Sequence, residues 1–139
     1  MPTKYSDIIM YLDAIADNAN GTVSSAPHGY WWHVSQIETD PPLAYNDFVT
    51  GTVFGVTNSS GGPIPIIGTD SKQTNPLQST FYILLTTPGG SGGFPQMPKG
   101  GPFITDPNFG TVTLSNGDTI TGAQIMANLQ EWLGNGYPQ

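Results

Sequence analysis

Gly93-Phe94-Pro95-Gln96-Met97-Pro98-Lys99-Gly100-Gly101-Pro102 is the stretch on which the reading of this protein turns. Pro95 and Pro98 bracket Met97 and fix the backbone on both sides, so the thioether is presented from a stiff loop and is not left to fill a gap. A methionine held in this way serves either as a ligand or as a packing peg. Residues before the loop read as a frame for it, and residues after it read as a lid.

Composition narrows the choices. With 139 residues the polypeptide is long enough for one domain, 1–139, with its own core. Charged residues make up 9% of it, against about 25% in ordinary soluble domains, while Gly (18) and Pro (13) are abundant. The surface must then be built of Ser, Thr, Asn, Gln and backbone. The three basic residues are Lys4, Lys72 and Lys99, and with no arginine and a net charge of −7 a phosphate backbone or an anionic membrane is a poor partner. Nucleic acid is therefore not expected, and because no segment approaches the ~20 apolar residues needed to span a bilayer, membrane insertion is not expected either. The absence of cysteine removes disulfides, thiolate metal sites and thiol nucleophiles together. Asp7, Asp13 and Asp17 interrupt the first twenty residues, which therefore do not read as a signal-peptide core.

Tyr5, Ile8, Ile9, Leu12, Ile15, Ala16 and Ala19 recur at three- and four-residue intervals, which predicts an amphipathic helix over 6–19 with Thr3 or Ser6 as its cap and Asn20-Gly21 as its stop. Residues 21–39 read as irregular and carry the densest aromatic group, Tyr30-Trp31-Trp32, between His28 and His33. Such a group roofs either a core or a ligand. Asp40-Pro41-Pro42 predicts a cap followed by a helix through Leu43, Ala44, Phe48 and Val49 to Gly51. Residues 52–68 read as extended segments more than as a regular sheet, because Gly and Pro interrupt the β-branched residues. Asn75-Pro76 opens a third helix to about residue 86, with Leu77, Phe81, Leu84 and Leu85 on its apolar face. Ser115-Asn116-Gly117-Asp118 joins two short β-prone runs as a hairpin, and Thr121 with Gln124 forms a capping box for a last helix. Ile125, Met126, Leu129, Trp132 and Leu133 make the buried face of that helix, which should end at Gly134 or Gly136.

In this order the sequence resembles the small bacterial c-type cytochrome domains. The matching pieces are Tyr5 to Ile9, His28-Gly29, Tyr45 to Gly51, Asn75 to Ser79 with Leu84, Gln96-Met97-Pro98-Lys99-Gly100-Gly101, and Ile125 to Trp132 with Gly136. The resemblance implies a mainly α, cytochrome-c-like fold of orthogonal helices with long Gly/Pro loops, in which the first and last helices cross. It also implies that His28 and Met97 occupy the places of the proximal and distal haem ligands. Two departures stand out. Ser24-Ser25-Ala26-Pro27-His28 replaces the haem-attachment motif, so no thioether to a haem vinyl can form, and the hairpin at 109–121 is inserted before the last helix.

The leading expectation is a haem-free relative with no cofactor, non-enzymatic, serving as a structural or binding module in self-association or with a protein partner. Few charges need desolvating at such an interface. An extracellular, periplasmic or virion-like assembly is a suitable setting. Without haem, the space must be filled by aromatic rings such as Tyr30, Trp31, Trp32, Phe54, Phe94 and Phe103, since an empty cavity costs roughly 24 cal/mol per Å³. The alternative is an electron carrier that holds haem b non-covalently between His28 and Met97. A copper site from His28, His33 and Met97 is a further arrangement allowed by ligand chemistry. Asn20-Gly21-Thr22 and Asn58-Ser59-Ser60 match the glycosylation pattern.

Overall fold

The computed structural model describes residues 3–18, 32–33, 41–50, 52–57, 63–65, 82, 85–86, 103–135 and 138–139, with the backbone alone at 50, 52–57, 63–65 and 108. Its elements in sequence order are helix α1 (Tyr5–Asn18), helix α2 (Tyr45–Thr50), strands β1 (Thr52–Thr57) and β2 (Pro63–Pro65), strands β3 (Thr111–Thr113) and β4 (Thr119–Thr121), and helix α3 (Gly122–Gly134). Helix outweighs strand among the described residues, and the strands form two separate antiparallel pairs.

Helix α1 runs where the apolar stripe predicts. Its buried face is broader than that stripe, because Tyr11 and Ala14 join Ile8, Ile9, Leu12, Ile15 and Ala16 in the core. Neither Ser6 nor Thr3 caps it. The Lys4 carbonyl accepts from the Ile8 N–H, and Asp7 Oδ2 accepts from the Lys4 N–H at 2.9 Å, the reach-back half of a capping box. The Thr3 N–H is used elsewhere, on Glu131 Oε1 of α3 at 2.9 Å.

Helix α3 follows its sequence signals closely. The Thr121 side chain accepts from the Gln124 N–H, and the Gln124 side chain accepts from the Thr121 N–H. Ile125, Leu129, Trp132 and Leu133 are buried, Met126 is half-buried, and the helix ends at Gly134 with the Asn135 N–H on the Glu131 carbonyl. Gly122 is buried as well: a Cβ at that position would overlap the Ile104 carbonyl, so the segment before the hairpin rests directly on the helix backbone.

Between them lies the expected hairpin, in the register Thr111 to Thr121, Val112 to Ile120 and Thr113 to Thr119. Its inner face carries Val112, Leu114 and Ile120, and Thr111, Thr113 and Thr119 are exposed on the other face. The turn is one residue longer than the two-residue Asn-Gly type. The Gly117 N–H donates to the Leu114 carbonyl, the Leu114 N–H donates to the Asp118 carbonyl, and Gly117 takes φ +91°, a three-residue loop with a glycine bulge.

Two sequence expectations need correction. Helix α2 starts at Tyr45 and not at Pro41, because the backbone before it is committed to other bonds: His33 bridges to Pro42, and the Leu43 N–H donates to the Trp32 carbonyl at 2.8 Å. Residues 52–57 and 63–65 do pair as a sheet, with Thr52 opposite Pro65 and Thr57 opposite Pro63. The register breaks between those pairs, as expected of a strand in which prolines at 63 and 65 have no N–H to give. Of the helix predicted near 75–86, Tyr82, Leu85 and Thr86 are described and are helical, and the Thr86 hydroxyl donates back to the Tyr82 carbonyl.

The core gathers α1, α3, Phe48, Val49, Tyr82, Leu85, Ile104, Phe109 and the inner face of the hairpin. Helices α1 and α3 meet through polar as well as apolar groups: Asn128 Nδ2 donates to the Tyr11 hydroxyl oxygen at 2.8 Å, and the rings of Tyr5 and Trp132 lie 6.5 Å apart. The α1 end is tied to the hairpin by Asn18 Nδ2, which donates to the Phe109 carbonyl.

Candidate functional site

Asp13 joins two side chains from a distant part of the sequence to α1. It sits on α1 one residue beyond the buried Leu12, with 40% of its side chain in contact with solvent. Its Oδ1 accepts from the Trp32 indole Nε1–H at 2.7 Å and pairs with His33 Nε2 at 2.9 Å. Both rings are buried, and they meet edge to face with centroids 5.8 Å apart. An indole N–H taken out of water needs an acceptor, and the carboxylate supplies it while keeping part of its own hydration. A carboxylate oxygen only accepts, so this bond uses an N–H at Nε2.

An Asp–His pair is also the orienting half of a hydrolase triad. Here the same carboxylate oxygen also serves the indole, and both rings are locked at the edge of the core. The arrangement fastens residues 32 and 33 to α1. From there the Leu43 N–H extends the run of bonds through the Trp32 carbonyl, and the Tyr5 hydroxyl closes it by donating to the Leu43 carbonyl.

A second cluster is aromatic. Tyr5 lies at its centre, edge-on to Tyr45 at 5.5 Å and to Phe48 at 5.3 Å, while Phe48 meets Trp132 at 6.1 Å. Phe48 and Trp132 are completely buried. Burial, assisted by the nearby negative charge of Asp47, pushes the Tyr5 phenol well above its ordinary range. The Tyr11 phenol is also raised, chiefly by burial; the hydrogen bond from Asn128 opposes the shift, and the charges of Asp7 and Glu131 add to it.

The predicted site residues fare unequally. His28 and Met97, expected as axial ligands of a haem, lie outside the described residues, so the structure brings them neither together nor apart. His33, the third member of the copper set, has its Nε2 on Asp13. Among the described residues there is no group of three or more His, Asp or Glu side chains placed to hold a metal ion. No helix of these residues is long and apolar enough to cross a membrane. Of the proposed aromatic fillers, Trp32 is buried and Phe103 is half-buried, the Phe54 side chain is not described, and Tyr30, Trp31 and Phe94 lie outside the described residues, as do Asn20 and Asn58.

Asp13 escapes sequence reasoning, which places it merely off the apolar stripe. The usable signal is scarcity: a buried Trp and a His need acceptors, and a protein with ten acidic residues offers few. Comparison of the full sequence with protein-family models, with curated proteins and with solved structures finds no match.

Proposed function

We propose that this protein is a haem-free, cytochrome-c-like module that binds or assembles with protein, either further copies of itself or a partner, and carries no catalytic activity of its own. The observation that carries this reading is the use made of its polar side chains. Asp13 holds Trp32 and His33, Asp7 holds the Lys4 N–H, Glu131 holds the Thr3 N–H, Asn18 holds the Phe109 carbonyl and Asn128 holds Tyr11. Groups that elsewhere act on substrates here cap a helix or fasten distant parts of the backbone together. The sequence adds that no cysteine is present to tether a haem, and the resemblance supplies the expected arrangement of helices. A surface with few charges favours contact with protein over contact with nucleic acid.

Absorption spectra of the purified protein, alone and with haem added, test the cofactor half of the reading. No Soret band should develop. A band that forms and then disappears in Met97→Ala would replace this reading with that of an electron carrier using His28 and Met97. Light scattering across a concentration series tests the assembly half, and a mass fixed at that of the monomer, together with no protein captured from the native source, would remove it.

A further inference from the structure

We propose that Asn116 is a site of spontaneous self-modification, at which its amide group closes onto the backbone of Gly117 and the hairpin tip is converted to a mixture of aspartate and isoaspartate. The reaction needs an asparagine whose Cγ can be reached by the next backbone nitrogen, a following residue that does not crowd the ring, and water. The last two are present at this turn, and the first is met when the tip opens. Ser115, Asn116, Gly117 and Asp118 are exposed, and the space around the missing Gly117 Cβ is open, with no heavy atom within 4 Å.

The chemistry balances without an added reagent. The Gly117 nitrogen, after loss of its proton to hydroxide, attacks Asn116 Cγ and forms the new C–N bond of a succinimide. The amide C–N bond of the asparagine breaks and its nitrogen leaves as ammonia. Water then opens the ring. Attack at the side-chain carbonyl gives aspartate, and attack at the backbone carbonyl gives isoaspartate, with an extra methylene in the main chain. The sum is Asn plus water going to a carboxylic acid plus ammonia.

The fold controls the rate. The attacking nitrogen is engaged, since the Gly117 N–H donates to the Leu114 carbonyl at 2.9 Å, and Asn116 Oδ1 is turned toward the Asp118 N–H at 2.9 Å. Both bonds must open before Cγ and N can meet. The modification therefore proceeds in the folded protein, more slowly than in the unfolded one, and its rate follows opening of the tip. Each event adds one negative charge, taking the formal net charge from −7 to −8.

The test is incubation of the full-length protein in mildly alkaline buffer at physiological temperature, folded and in urea, followed by peptide mapping by mass spectrometry and labelling with an isoaspartyl methyltransferase. The expected result is an NH-to-O mass exchange and a methyl label on the peptide holding Asn116 in both samples, faster in urea. Both should be lost from that peptide in Asn116→Gln. A folded sample that keeps Asn116 intact while the urea sample converts would overturn the proposal, as would a label confined to Asn20 or Asn135. Equal rates in the two samples would overturn the control by the turn.

Discussion

Asp13 and Tyr5 show how much of this fold rests on single residues. Replacing Asp13 with Ala strands the indole N–H of Trp32 and the Nε2 of His33 in the core, and the cost of leaving a buried donor unmet is about 1–3 kcal/mol. Asp13→Asn keeps one acceptor oxygen and should lose less; urea denaturation of both variants measures the order. Tyr5 makes stability depend on alkaline pH. Its phenol ionises near 10 in the unfolded state and only at higher pH in the folded one. The folded state thus retains a proton that the unfolded state gives up, and stability is unaffected below about pH 10 and falls as the pH rises beyond it. Tyr5→Phe should flatten that decline while losing about 1 kcal/mol at neutral pH, where the bond to the Leu43 carbonyl is missing. Neither residue's role is legible in the sequence. Tyr5 stands there as one step of an apolar stripe, and Asp13 finds its partners 19 and 20 positions away, where no short spacing connects them.

At the level of elements, the legible features are those that act within a few residues. The Thr121–Gln124 box and the apolar face of α3 are both interactions over three or four positions, and both are present. The start of α2 departs from expectation for the opposite reason. Asp40-Pro41-Pro42 is a strong local signal for a helix start, yet the bridge from His33 to Pro42 and the bond from Leu43 to Trp32 hold that backbone extended until Tyr45. The start of α1 shows the same competition, since Thr3 is drawn to Glu131 and leaves Lys4 and Asp7 to begin the helix. The close seat of α3 on the segment before the hairpin is equally invisible in the sequence, although Gly122 marks it. Gly122→Ala should cost about 1–3 kcal/mol by forcing a methyl against the Ile104 carbonyl, even though alanine is the better helix former. A rise in thermal stability in that variant would show that the two elements can separate without loss.

Across the whole molecule, the described core is held by residues far apart in sequence. The Pro138 carbonyl accepts from the Tyr5 N–H at 3.1 Å and from the Trp132 indole N–H at 2.8 Å, and the Thr3 N–H reaches Glu131 beside them. Because the backbone oxygen makes these bonds, Pro138→Ala should leave stability nearly unchanged. Deleting residues 138 and 139 should cost about 1–3 kcal/mol, the penalty for an unmet buried indole together with a loosened first turn of α1, seen as a lower midpoint of thermal unfolding. The helical class and the hairpin are readable in advance, because periodicity and turn chemistry specify both. This tie between distant residues is not, since it depends on a carbonyl that every residue possesses. Its practical consequence concerns protein engineering. With residues 5 and 138 hydrogen-bonded, these two points of the backbone lie at one spot, so the stretch between them can be spliced as a cassette into a surface loop of a host protein without prying that loop apart.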